Sequence, residues 1–178
     1  MTAVHETAAA VRGAIRNIPD FPKPGIQFKD VTPLLADFVL FRAATEAMGA
    51  PFAALGITHV VGIESRGFIF GAPVAQALGA GFVPIRKPGK LPAATIREEY
   101  ALEYGPDALE IHADALRPGA VVLIVDDVLA TGGTAAAACA LVGRTGARVA
   151  GCSFLIELAG LVGRAKLPAH RVEALVTY

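Results

Sequence analysis

The spacing of apolar positions sets the first expectations. Val4, Ala8, Val11, Ile15 and Ile18 recur at intervals of four and three, the period of a helix that buries one face. Pro19, Pro22, Pro24 and Gly25 end that pattern in a loop. Residues Phe38 to Leu55 read as a second helix. From there short apolar runs alternate with helical stretches. HVVGI (59–63), GFVPI (81–85), AVVLIV (120–125), ARVAGCSFLIEL (147–158) and RVEALVTY (171–178) read as strands. Gly67–Leu78 and an alanine-rich run from Gly133 to Arg144 read as helices between them. Strands that are apolar throughout and separated by helices predict a mainly parallel central sheet flanked by helices, in one α/β domain over residues 1–178.

Residues 86–106, RKPGKLPAATIREEYALEYGP, break this rhythm. They are charged, rich in glycine and proline, and longer than an ordinary connection. A stretch of this kind is either a binding loop or lid, or a solvated β-ribbon.

Composition narrows the class. The chain has 178 residues, 54% of them hydrophobic, and 16 basic against 16 acidic side chains. A balanced charge argues against a nucleic-acid binder, which carries a basic excess. No unbroken apolar run is long enough for a membrane helix, and the N-terminus lacks a signal-peptide pattern, so no membrane partner and a cytoplasmic location are expected. Cys139 and Cys152 lie in small or apolar surroundings and are expected as buried free thiols. His5, His59, His112 and His170 show no metal spacing, and no protein metal ligand is assigned.

The chemistry concentrates in VVLIVDDVLATGGT (121–134). In an open parallel sheet, ligands bind beyond the carboxyl ends of strands, and here such an end carries Asp126 and Asp127. Adjacent carboxylates are tolerated where hydroxyl donors, solvent or a cation offset their repulsion. Ala130, Thr131, Gly132, Gly133 and Thr134 follow, at the start of a helix. Glycines admit a close ligand, and free N–H groups at a helix start bind anions. Carboxylates for a sugar beside an amide nest for a phosphate describe a phosphorylated ribose. No G-x-x-x-x-G-K-[ST] or G-x-G-x-x-G pattern competes with this reading. A second strand end carries Glu64-Ser65-Arg66-Gly67, and a third carries Arg86, Lys87 and Lys90, cations suited to a polyanionic leaving group.

VVLIVDDVLATGGT resembles the phosphoribosyl-pyrophosphate motif of type I phosphoribosyltransferases. DFPKPGIQFKDVTPLL (20–35), GIESRGFIFGAPVAQALG (62–79), IRKPGKLP (85–92) and YALEYG (100–105) resemble the adenine-specific branch of that family. The likeness runs from about Asp20 to Leu167. It implies the type I phosphoribosyltransferase fold, with a small N-terminal hood (about 19–35) and a flexible lid loop (about 87–106). It implies transfer of phosphoribosyl from 5-phosphoribosyl 1-pyrophosphate to N9 of adenine, giving AMP and pyrophosphate.

The residue roles implied by the resemblance are these. Asp126 and Asp127 hold the ribose hydroxyls, and the loop from Ala130 to Thr134 cradles the 5′-phosphate. Ser65 and Arg66, in a loop with a cis peptide, bind pyrophosphate together with Arg86, Lys87 and Lys90. Arg66 also lies near the base. Phe28 stacks on adenine while backbone groups at Gln27 and Lys29 read its edge. Glu103 is the general acid/base at N7, and Tyr104 shields the site. Mg²⁺ is held mainly by substrate and water, and the protein is a homodimer in which Lys90 serves its own site or the neighbour's. The alternatives left open are a phosphoribosyltransferase for another base and a non-catalytic binder of phosphoribosyl pyrophosphate.

Overall fold

The protein is described here by a computed structural model covering residues 2–102 and 105–178, with side chains for 4–100 and 107–178. Its centre is a five-stranded parallel sheet in the order β4-β3-β7-β8-β9. The strands are β3 (His59–Ile63), β4 (Gly81–Ile85), β7 (Val121–Leu129), β8 (Arg148–Glu157) and β9 (Val172–Thr177). Helix α4 (Gly67–Leu78) connects β3 to β4, and α5 (Gly133–Arg144) connects β7 to β8. The chain thus moves outward from β3 in one direction and from β7 in the other. Right-handed crossovers of opposite direction place their helices on opposite faces.

The core confirms that arrangement through the two-residue alternation of the strands. Val61, Val122 and Ile124 face a cluster with Leu109, Ile111, Ala138 and Leu141 of the ribbon and α5. Val60, Leu123 and Val125 face the other cluster, with Phe52, Phe70 and Val74. Burial on both sides explains why these strands are apolar at nearly every position.

On the second face, α3 (Phe38–Gly49) packs beside α4, and α1 (Thr2–Ala14) packs on α3. α1 buries Val11, but the expected helix stops at Ala14, and Ile18 lies in strand β1 (Arg16–Pro19). β1 pairs antiparallel with β2 (Gln27–Asp30), opposing Ile18 to Phe28. The short helix α2 (Thr32–Ala36) follows. The expected single helix 38–55 is two elements: α3 ends at Gly49 and a 3₁₀ segment, Ala50–Leu55, takes over. Pro51 stands at the start of that segment, where it has no N–H to continue the α-helical ladder. Residues 38–55 match a membrane span by length and composition alone. However, a 12-residue helix covers only about 18 Å, and Ala44, Thr45, Met48 and Phe52 are buried in the core.

Residues 86–112 contain the ribbon that the sequence offered as one of two readings. β5 (Thr95–Leu102) pairs antiparallel with β6 (Gly105–His112) in register from Thr95↔His112 to Leu102↔Gly105. β6 was not expected from the apolar pattern. Its Leu109 and Ile111 enter the core, and Arg86 and Glu110 exchange backbone hydrogen bonds that tie the ribbon to the end of β4.

Candidate active site

β3 and β4 end at one level, and there β7 loses its pairing with β3. Ile63 of β3 is in register with Ile85 of β4, and Gly62 with Val125 of β7. The loops at 64–66 and 86–90 and the segment 126–134 therefore converge at the point where strand order reverses, the usual ligand crevice of such a sheet. β7 itself runs four residues beyond the expected Val125, to Leu129, because Asp126, Val128 and Leu129 continue pairing with β8. Its pairing with β3 stops at Val125. The acids thus lie in the strand, along an edge that β3 has left.

A cleft of about 520 Å³ opens there. Its wall includes Gln27, Phe28, Lys29, Ser65, Arg66, Lys87, Asp126, Asp127, Ala130 and Thr134, all singled out from the sequence. Thr131, Gly132 and Gly133 form the turn between Ala130 and Thr134. Gly132 has φ +79° and heads α5 without a side-chain cap, which leaves first-turn N–H groups free to meet an anion. A Cβ on Gly132 would collide with the carbonyl of Gly163, and one on Gly163 would collide with the carbonyl of Ala130. Only glycines allow this close crossing.

The acid pair is electrostatically uneven. Asp127 is buried, and Arg66 Nε lies 2.6 Å from its Oδ2. That approach is not directed along the N–H, and Oδ2 accepts no hydrogen bond from the described residues. The ion pair balances its charge but leaves its acceptor capacity open. A buried acceptor of this kind calls for a donor, and a sugar hydroxyl is one. Asp126 is half-buried and accepts from the Asp127 N–H at 2.9 Å. Enclosure by protein, with the Asp127 carboxylate beside it, pushes the Asp126 carboxyl well above its usual range. Gly67, the first residue of α4, allows this packing, since a Cβ there would stand 2.7 Å from Asp126 Oδ1.

The Glu64–Ser65 peptide is cis. Glu64 was named at a strand end but assigned no role from the sequence, yet it organises the basic loop. It accepts from Arg86 Nε at 3.2 Å, the Lys87 N–H at 3.0 Å and Lys90 Nζ at 2.5 Å. Burial alone would raise its carboxyl. The bonds from Lys90, the Lys87 N–H and Arg86 prevail and hold it at about 2. Arg86 and Lys90 are outside the cleft wall, whereas Glu64 and Lys87 line it. Lys87 pairs with Asp107. Asp107 and Tyr100 also line the cleft and were not singled out. An acid or a tyrosine in a polar ribbon carries no local signal of the fold that brings it inward. Glu103 and Tyr104 lie outside the described residues.

On the opposite side stands the β1–β2 hairpin. The Phe28 ring packs edge-on against Phe21, with centroids 5.1 Å apart, and the Arg66 guanidinium lies 5.2 Å from its centre. Lys29 directs its ammonium to Asn17 Oδ1 at 2.6 Å and over the Tyr178 ring at 3.7 Å. Among the described residues no three imidazole, thiol or carboxylate groups converge as a metal cage. The adjacent carboxylates are oxygen donors of the kind Mg²⁺ accepts, as partners to a substrate-held ion.

Residues 42–171 match the phosphoribosyl transferase domain. The adenine phosphoribosyltransferase of Synechococcus sp. (strain JA-3-3Ab) is 62% identical over 89% of this chain and 91% of its own. Among solved structures, the adenine phosphoribosyltransferase of Rhodothermus marinus superposes with a TM-score of 0.93 at 56% identity, covering 97% of this chain and 99% of that one. The Saccharomyces cerevisiae enzyme, solved with adenine and an imino-altritol bisphosphate, superposes at 0.91 with 41% identity, covering 96% and 98%. With that likeness spanning nearly the whole length of both chains, the protein belongs to the adenine phosphoribosyltransferases of the phosphoribosyl transferase family.

Proposed function

We propose that the cleft joins adenine to a phosphoribosyl group, drawing on 5-phosphoribosyl 1-pyrophosphate and releasing AMP and pyrophosphate. The observation that carries this reading is the Asp126–Asp127 edge. It sets a buried, unsatisfied acceptor between an uncapped helix start and an arginine that reaches toward an aromatic ring. Asp126 and Asp127 orient the ribose through its hydroxyls. The N–H groups and hydroxyls from Ala130 to Thr134 hold the 5′-phosphate. Phe28 stacks on the base, and the backbone at Gln27 and Lys29 reads its edge. The Lys29 ammonium is engaged elsewhere, which supports a main-chain role for that residue.

Bond breaking at C1′ leaves positive charge on the ribose and negative charge on pyrophosphate. Ser65, Arg66 and Lys87 meet the leaving group, supported by Arg86 and Lys90. Mg²⁺, when bound, neutralises pyrophosphate and is held mainly by substrate and water. Glu103 exchanges the proton at N7, and Tyr104 with the rest of the 87–106 lid excludes water, so the activated sugar is not hydrolysed.

The protein works in the cytoplasm as a homodimer. Exposed Ile69 on α4 and Phe38 and Val39 on α3, together with the edge of β4 that no strand pairs among the described residues, support an apolar subunit contact. A monomer by light scattering at assay concentration would count against it.

The test is incubation with phosphoribosyl pyrophosphate and Mg²⁺, offering adenine, hypoxanthine, guanine, xanthine and orotate in parallel. AMP from adenine, with little product from the others, is expected. Preference for another base would overturn the reading of Phe28 and its hairpin. Binding of phosphoribosyl pyrophosphate without any product would favour a regulator or a catalytically silent paralogue.

A further inference from the structure

The ribbon meets the cleft at one cross-strand pair. Tyr100 of β5 and Asp107 of β6 are direct partners in the register, so their side chains share a face. Both line the cleft, as do Lys87 and Thr134. The Tyr100 hydroxyl donates to Asp107 Oδ2 at 3.2 Å and is 3.5 Å from Thr134 Oγ1, which donates to it. Asp107 Oδ2 also takes Lys87 Nζ, and its Oδ1 accepts the Ala108 N–H at 2.8 Å. A continuous polar chain therefore runs Lys87–Asp107–Tyr100–Thr134, from the loop after β4 to the first turn of α5.

The two ends of that chain are residues that the proposed function gives to opposite ends of one substrate, pyrophosphate at Lys87 and 5′-phosphate at Thr134. On that reading, we infer that Asp107 and Tyr100 are positioning residues. Asp107 fixes the Lys87 ammonium where the leaving pyrophosphate needs it, and Tyr100 ties the ribbon to the phosphate-binding turn.

The chemistry fits the assignment. A lysine head on a four-carbon stem is intrinsically mobile, and one fixed carboxylate partner removes that freedom before substrate arrives. The charge states are also settled. Burial works to lower the Lys87 ammonium, but its hydrogen bond to Asp107 turns the balance and raises it. Burial works to raise Asp107, but Lys87 and the Ala108 N–H lower it. Burial raises the Tyr100 phenol, which stays a neutral donor.

A double-mutant cycle on the full chain separates positioning from general structural support. Initial rates would be measured for wild type, Asp107→Asn, Lys87→Met and the double variant, varying phosphoribosyl pyrophosphate and adenine in turn. Asp107→Asn is expected to lower kcat/KM for phosphoribosyl pyrophosphate about tenfold, the scale of one lost charged hydrogen bond, with KM for adenine unchanged. In the Lys87→Met background the same substitution is expected to cost nothing further. Tyr100→Phe, which removes one hydroxyl, is expected to weaken ribose 5-phosphate binding by calorimetry and to leave pyrophosphate binding intact.

Losses at Asp107 and Lys87 that multiply independently would overturn the inference, as would a Tyr100→Phe enzyme with unchanged ribose 5-phosphate affinity. A wild-type protein that makes no nucleotide from any base would instead remove the proposed function, and this inference with it.

Discussion

Single residues at the cleft are tuned by their partners more than by their own type. Glu64 is the clearest case. Its ordinary value of 4.5 falls to about 2 because one arginine, one lysine and one backbone N–H all donate to it. A carboxyl depressed in the folded state stabilises the fold above its unfolded value, and that contribution is lost as pH falls through the folded one. The difference is worth about 3 kcal/mol at neutral pH, and the side chain is only 11% exposed. Glu64→Gln is therefore expected to unfold at lower urea concentration than wild type at neutral pH. The gap should close as pH is lowered from about 4.5 toward 2. A gap that stays constant over that range would show that the clamp on Arg86 and Lys90 is not electrostatic. Gly132 and Gly163 make a different point at the same scale. Gly132 announces itself within Thr-Gly-Gly-Thr. Gly163 lies about thirty residues on, with no motif around it, and only the folded backbone shows why its side chain must be absent.

Among elements, legibility followed burial. β3, α4, β4 and α5 begin and end where the apolar pattern put them, because each buries a run or face of apolar side chains in the core. The meeting of the acids, the Ala130–Thr134 turn and the Ser65–Arg66 loop at one cleft could be expected for the same reason, since they follow buried strands. The ribbon and the β1–β2 hairpin were harder. Their strands pair mainly with each other and carry one apolar face at most, so periodicity is weak and side-chain identity says little about pairing. What holds the ribbon against the body is also scattered. Arg144 at the end of α5 bonds Arg97 O at 2.5 Å and Glu98 Oε2 at 3.1 Å. An exposed ion pair of this kind contributes about 1 kcal/mol or less to global stability. Arg144→Ala is therefore expected to leave the melting temperature nearly unchanged while hydrogen exchange of the β5 amides speeds up. A large fall in melting temperature with unchanged β5 exchange would mean that α5, not the ribbon, depends on Arg144.

At the scale of the whole molecule, the site is a consequence of strand order, and its cost is concentrated in the one strand that bears both acids. β7 is the central strand of the sheet, so the charge at its end is enclosed by both layers. The two carboxylates should then respond to removal in opposite ways. Asp126 has its carboxyl raised by burial and by Asp127. A group raised above its unfolded value destabilises the fold at pH above it, and the cost disappears as pH falls. Asp126→Asn keeps an acceptor for the Asp127 N–H and removes the repulsion, so the free protein is expected to melt higher than wild type. Asp127 balances Arg66 at 2.6 Å, so Asp127→Asn leaves a cation without its partner and is expected to melt lower. Both should lose response to ligand. Phosphoribosyl pyrophosphate with Mg²⁺ at about a hundred times Kd adds about 2.7 kcal/mol to wild type, roughly 5–10 °C for a chain of this size. Each variant should show a smaller shift at the same concentration. Equal losses of free-protein stability in the two would remove the electrostatic asymmetry, and a full ligand shift in either would remove that carboxylate from the ribose site. The expected pattern, with one acid costing stability and the other supplying it while both are needed for the ligand, would show that the crevice keeps Asp126 for binding at the expense of the fold.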